Sequence, residues 1–173
     1  DFDHVGGIAD FPHATIHTTA AEHDWAIGNP DFAARQRYSP RQWSHGPRFA
    51  THAGPGEAWK HGLHALEVLP GISLVPMHGH TKGHAAVAVE TDDGGLLVHA
   101  GDAVFDASSY TPLSPSGAAL SKVRVLRGFE KVMAAQREKI AGNHATLRRL
   151  DELDDVTVFN AHDKRLFDAL VDA

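Results

Sequence analysis

Apolar and β-branched residues occur along this chain in short runs, most of them bounded by glycine, proline or acidic residues. Runs of this kind are typical of buried strands. The sequence Asp-Asp-Gly-Gly at 92–95 is a strong hairpin signal between two of them. The pattern predicts strands at 14–17, 72–76, 85–90, 96–100 and 156–159.

Helical spacing of apolar residues is clearest from Phe129 to Leu150, where it predicts one long helix for core packing. Gly142 is expected to weaken or kink that helix. Shorter helices are predicted at 20–27, capped by a preceding threonine, and at 164–171.

The segment at about 28–62 interrupts this pattern with several prolines and glycines and an unusual number of aromatic residues. A long irregular segment of this composition is uncommon unless it covers something. Two interpretations are open: an insertion that forms a substrate lid, or simple packing of the insertion, including a dimer contact. The residues concerned are Tyr38, Trp43 and Trp59.

Four polar motifs lie near the predicted strands. Asp1-Phe2-Asp3-His4-Val5-Gly6-Gly7 opens the chain, and Gly79-His80-Thr81-Lys82-Gly83-His84 follows the strand at 72–76. Gly101-Asp102 and Asn160-Ala161-His162-Asp163 follow the strands at 96–100 and 156–159. Short loops at strand ends can hold a site rigidly. Imidazole and carboxylate without thiolate suit zinc, iron or manganese.

Composition narrows the function classes. The 173 residues carry a formal net charge of −6, which argues against a nucleic-acid partner. The apolar runs are too short to span a membrane. The chain has no cysteine, so disulfides and cysteine nucleophiles are excluded, while its 14 histidines raise the prior for a metal site. Neither a Gly-x-Ser-x-Gly nor a Walker A motif occurs.

In this order the motifs resemble the signature of the metallo-β-lactamase superfamily: His-x-His-x-Asp-His, then Gly-His-Thr, then an aspartate after a strand, then a late histidine. Asp3 and His4 match the last two positions of the first motif. His80 matches the histidine of Gly-His-Thr, Asp102 the bridging aspartate and His162 the late histidine. The match extends over nearly the whole chain.

The resemblance implies an α/β fold, the αββα sandwich, here mainly its C-terminal part, as one domain over residues 1–173. It also implies two divalent metal ions, with zinc expected and iron or manganese as alternatives. His84 is expected to support the site from behind the ligands. The metal ligands implied are Asp1, Asp3, His4, His80, Asp102 and His162.

Two departures from the family pattern affect this expectation. Asp1 stands where the family usually has its second histidine, and this harder ligand favours iron or manganese. The first histidine of the motif would precede Asp1, so we expect an N-terminal portion outside this sequence, supplied as a separate chain or in a longer one. Flavodiiron proteins resemble this variant by placing glutamate at the Asp1 position, which leaves a di-iron redox protein as one alternative. A non-catalytic metal-binding fragment is the other.

As a hydrolase, the protein is expected to use a metal-bridging hydroxide held by Asp102 against an ester, lactone or thioester, with Asp3 orienting it or carrying a proton. Lactonases that resemble this chain have tyrosine three residues after the bridging aspartate, where this chain has Phe105, which weakens a lactonase assignment. We expect a cytoplasmic protein with a small-molecule substrate, no nucleic-acid or membrane partner, and homodimerisation as one form of assembly.

Overall fold

A computed structural model describes residues 1–171, without the side chains of Phe2 and Leu170. Its backbone contacts divide the chain into two compact units, Asp1–Gly54 and Pro55–Ala173, called here the first and the second unit. Within the described range, every helix is too short or too polar to cross a membrane. The expectation of one domain over residues 1–173 stays a prediction.

The first unit is built on two parallel strands, β1 and β2, in which Ile16 pairs with Phe49. Thr19 caps the helix after β1, because its hydroxyl accepts the Glu22 backbone N–H at 3.1 Å. The predicted helix at 20–27 is α-helical for one turn and continues as a π-helix to Gly28. The elements are α1 (Phe2–Val5), β1 (Thr15–Thr19), α2 (Ala20–His23), α3 (Phe32–Arg37) and β2 (Arg48–His52).

The second unit contains a six-stranded sheet in the order β3-β4-β5-β6-β7-β8. Neighbouring strands are antiparallel from β3 to β7, whereas β7 and β8 run parallel. The strands are β3 (Glu57–Ala58), β4 (His64–Leu69), β5 (Ile72–Pro76), β6 (Ala85–Glu90), β7 (Leu96–His99) and β8 (Val156–Phe159).

Three helices complete the second unit, and two of them contribute buried leucines to the core of the sheet. Val98 on β7 belongs to the same buried cluster as Leu147 and Leu150, and all three side chains are inaccessible to water. Truncating such a leucine to alanine typically costs about 2–5 kcal/mol of stability. The helices are α4 (Arg124–Met133), α5 (Arg137–Asp151) and α6 (Lys164–Val171).

The prediction of one helix over 129–150 is wrong. Helix α4 begins at Arg124, and the break before α5 lies at 134–136, whereas Gly142 lies inside α5 without interrupting it. At the break, the N–H groups of Ala135 and Gln136 donate to the carbonyls of His80 and Gly79 at 3.0 and 2.9 Å. Long-range hydrogen bonds, not a helix-breaking residue, therefore separate the two helices.

The expected irregular segment at 28–62 is more ordered than its composition indicates. It contains α3, β2, β3 and two 3₁₀ turns, and the boundary between the two units falls within it. Strand β2 pairs with β1, more than 30 residues earlier, and a local pattern carries little information about such a distant pairing.

Candidate metal centre

Three of the predicted ligands lie at one edge of the sheet in the second unit. Strands β5, β7 and β8 run in the same direction, since β6 is antiparallel to β5 and β7 while β8 is parallel to β7. The loops at their carboxyl ends therefore meet. They carry His80, Asp102 and His162 respectively.

The carboxylate of Asp102 lies between two imidazoles. His80 Nε2 is 3.0 Å from Asp102 Oδ2, and His162 Nε2 is 3.0 Å from Asp102 Oδ1. The side chains of His80 and Asp102 are only 3% and 5% exposed, while His162 is 34% exposed. A buried carboxylate with one imidazole nitrogen facing each oxygen is a suitable donor set for divalent metal ions that share the carboxylate. The chemistry of these donor atoms thus fits the expected divalent metal ions.

Glycine is required at two places in these loops. Gly101, just before the carboxylate ligand, has φ +54°, and a Cβ there would lie 3.0 Å from His84 Nε2. Gly79, just before His80, has φ +148°, and a Cβ there would lie 3.2 Å from the side chains of both Asn143 and Ile140. Because other residues rarely adopt these angles, the glycines allow the ligand loops to pass close to their neighbours.

His84 fixes the loop of Asp102 from behind. Its Nδ1 lies 3.1 Å from the carbonyl oxygen of Met77, and its Nε2 accepts the backbone N–H of Asp102 at 3.1 Å. A neutral imidazole protonated at Nδ1 satisfies both contacts. With both nitrogens used, His84 positions Asp102 and is a poor candidate for binding metal itself.

Phe105 forms an apolar wall against the two ligand imidazoles. Its ring centroid lies 5.4 Å from that of His80 and 4.8 Å from that of His162, and the residue is 3% exposed. Its backbone N–H donates to Glu130 Oε2 at 2.8 Å. The ring therefore limits the rotation of both imidazoles and keeps water away from one side of them.

A buried charge network, which the sequence did not reveal, joins the loops of Asp102 and His162. Asp106 accepts hydrogen bonds from Arg127 Nε at 2.5 Å and from Arg165 at 2.9 Å, and Asp163 accepts from Arg165 and from the N–H of Ala107. Both carboxylates are almost inaccessible to water. Only two features of the sequence pointed to this network. One aspartate lies four residues after Asp102, and another lies next to His162.

The network keeps both carboxylates ionised. Burial alone raises the pKa of Asp106, but hydrogen bonds from Arg127, Ser108, the Val123 backbone and Arg165 outweigh burial, and the net pKa is lowered. The pKa of Asp163 is also lowered overall. Burial raises it, but the hydrogen bonds from Arg165 and from the Ala107 backbone N–H lower it by more than burial raises it.

The other three predicted ligands lie in the first unit. Asp3 and His4 are exposed on α1, with Asp3 Oδ2 3.7 Å from His4 Nε2. Asp1 has a different environment, since its carboxylate is paired with both Nε and a terminal nitrogen of Arg37. The assignment of all six residues to one metal centre stays a prediction.

The aromatic residues considered for a lid pack into two different cores. Tyr38 is 7% exposed, its ring meets Trp25 edge to face at 5.6 Å, and its hydroxyl donates to Glu22 at 2.5 Å. Trp43 packs against the same cluster in the first unit, while Trp59 packs against the core of the second unit. Their assignment to a substrate lid, to packing of the insertion or to a dimer contact stays a prediction.

Comparison with known proteins places these observations in a family. The family model described as "Metallo-beta-lactamase superfamily" matches residues 1–162. Probable metallo-hydrolases of Mycobacterium bovis and Mycobacterium tuberculosis are each 39% identical over 96% of this chain. The chain spans about half the length of these curated relatives, 53% of each.

Solved structures show the same fold. An N-acyl homoserine lactone hydrolase with its product N-hexanoyl-L-homoserine at the catalytic metal centre aligns over 97% of this chain and 54% of its own, with a TM-score of 0.64 and 19% identity. A B. thuringiensis protein with bound N-decanoyl-L-homoserine aligns over 96% and 54%, with a TM-score of 0.63 and 18% identity. The predicted fold class is confirmed, and the chain belongs to the metallo-β-lactamase superfamily.

Proposed function

We propose that this chain forms the metal-binding part of a hydrolase that opens a lactone or a related ester of a small molecule. The observation that carries the proposal is the buried Asp102 carboxylate, which faces the imidazoles of His80 and His162 at 3.0 Å each. The proposal is also supported by the 39% sequence identity to proteins named probable metallo-hydrolases. The lactone class is proposed because structures of the same fold include an N-acyl homoserine lactone hydrolase.

In this proposal, residues of the chain would hold the metal and orient the groups around it. His80, Asp102 and His162 would bind the metal, zinc being the ion we expect, and Asp1, Asp3 and His4 are proposed from the family motif as the remaining ligands. When bound, divalent ions acidify water and polarise the carbonyl of a substrate.

The groups around the ligands prepare the site for that chemistry. His84 holds the Asp102 backbone in place, and Phe105 covers one side of the imidazoles. Asp3, which is exposed, is proposed to orient the attacking water or to carry its proton. The Phe105 side chain has no hydroxyl, so it cannot donate a hydrogen bond to a developing oxyanion.

Elemental analysis of protein purified without added metal, followed by a pH-stat assay with lactones and esters, tests the proposal. Asp102→Asn should lower both metal content and kcat/KM, the latter by at least about 100-fold, since groups that merely support a ligand are worth about 10–100-fold. The matched control is Asp154→Asn, an exposed aspartate after α5, which should change neither.

Three results would contradict the proposal. Zinc-loaded protein that hydrolyses neither lactones nor esters would argue against a hydrolase. Iron content with a visible absorption band and no hydrolysis would instead favour the di-iron alternative. Normal activity of Asp102→Asn would remove the residue from the reaction altogether.

A further inference from the structure

A groove with a strongly cationic lining lies between α4 and α5. It encloses about 600 Å³, a size typical of sites for small organic ligands. None of His80, Asp102 and His162 lines it, so it is separate from the candidate metal centre. Its lining includes five basic side chains: Lys122, Arg124, Arg127, Lys131 and Arg137.

Most of these cations lack a counter-charge. Arg127 is held by Asp106 and Ser108. Within the described part of the chain, the other four form no side-chain hydrogen bond or ion pair. The formal net charge of the whole chain is −6, so the groove is a local reversal of sign. Several like charges around one concave surface repel one another and attract anions.

The one carboxylate in the lining, Glu130, is used internally. It is 1% exposed, its Oε2 accepts the Phe105 N–H at 2.8 Å, and its Oε1 lies 2.9 Å from Nε2 of His144. Glu130 therefore forms part of the groove floor but does not neutralise the basic side chains that line the groove.

One exposed position on the wall of the groove also leaves space for a ligand. Gly128 lies on the groove face of α4 among the arginines and lysines, and a Cβ added there would meet no atom within 4 Å. Glycine inside a helix is unfavourable, so its presence on this face is not explained by the stability of the helix. It leaves the backbone of α4 open to close approach.

We propose that this groove binds a small molecule with two or more anionic groups, phosphates or carboxylates. Arg124 and Lys131 are seven residues apart on one helix, a rise of about 10 Å. Charges spread over this length suit a polyanion better than a single phosphate ion, and both guanidinium and ammonium groups form charge-assisted bonds with either kind of anion.

Isothermal titration calorimetry of the whole chain at low ionic strength provides the test, with tripolyphosphate and citrate as probes. Binding of either probe is expected, and the stronger one identifies the anion class. The double variant Lys131→Ala/Arg137→Ala should weaken that binding by at least about tenfold, because each charged contact contributes strongly. Gly128→Leu should weaken it too, without changing charge, because the new side chain would project from the lining into the space open to a ligand.

The matched control, Arg41→Ala/Lys139→Ala, removes the same charge outside the groove and should leave affinity unchanged. Circular dichroism checks that each variant is folded, and Gly128→Leu, which introduces a better helix former, guards against a folding artefact. Failure of both probes to bind would overturn the proposal. So would equal weakening in the control, unchanged affinity in both groove variants, or inorganic phosphate binding as tightly as tripolyphosphate.

Discussion

Replacing Asp106 by asparagine keeps the size of the side chain but removes the charge that holds two arginines. The carboxylate is 0% exposed and accepts hydrogen bonds from Arg127, Arg165, Ser108 and the backbone N–H of Val123. An amide can accept at one position only, and its NH₂ group would face guanidinium donors. The substitution therefore breaks a buried charge network rather than a single contact.

The loss of stability can be bounded from the exposure of the partners. Removing one member of a buried ion pair typically costs about 3–5 kcal/mol. The side chains of Arg127 and Arg165 are 28% and 32% exposed, so water can partly solvate them once the charge of Asp106 is gone. We therefore expect the lower end of that range, about 3 kcal/mol in the free energy of unfolding.

The direction of the Asp106 pKa shift determines how the stability lost in Asp106→Asn should change with pH. The pKa of Asp106 is lowered in the folded protein, so its contribution is fully present above the unfolded value of about 3.9 and is lost as pH falls through the folded pKa. The stability difference between the natural protein and Asp106→Asn should thus be largest near neutral pH and shrink under acid conditions.

Urea unfolding followed by circular dichroism at several pH values measures both effects. Asp154→Asn is the control, because this exposed residue should change stability by less than about 0.5 kcal/mol. A cost of Asp106→Asn below about 1 kcal/mol at neutral pH, or a difference that grows on acidification, would refute the reasoning.

Four further substitutions test the site and its surroundings. Gly101→Ala should cost about 1–3 kcal/mol in thermal or urea unfolding because of its positive φ, whereas Gly128→Ala in open space should stabilise α4 by about 1 kcal/mol; similar effects of the two would contradict the strain argument. His84→Ala should weaken zinc binding by about 10–100-fold in a competition assay, and unchanged affinity would exclude its positioning role. Tyr38→Phe, which removes the hydrogen bond to Glu22, should lower stability by about 1 kcal/mol with kcat and KM unchanged; a raised KM would instead support a substrate lid.

Patterns that are local in the sequence predicted local structure well. The strands from Ile72 to Phe159 and the helix at 164–171 lie where apolar runs and turn residues placed them. Strand β4 was missed, although its burial alternates, because charged and apolar residues are mixed in His64–Leu69. Pairing with β5 supplies the stabilisation that its own sequence does not show.

In the candidate site, too, local motifs were predictable from the sequence and long-range contacts were not. Gly-His-Thr, Gly-Asp and the late histidine are short motifs next to strands, so the sequence identified His80, Asp102 and His162. The roles of Phe105 and Glu130 depend on contacts between segments about 25 residues apart or more, and no spacing in the sequence indicates them. The same holds for the Arg37 that pairs with Asp1.

By itself, the sequence determined which side chains bring metal-binding chemistry, which segments become strands, and to which family the ligand motifs belong. These properties reside in residue types and short spacings, which are carried by the covalent chain. Only the tertiary structure decided that the Asp102 carboxylate faces two imidazoles, that α4 and α5 are separated at 134–136, and that five cations share one groove. Each of these depends on strand direction and long-range packing, which arise when distant segments bury their apolar faces together.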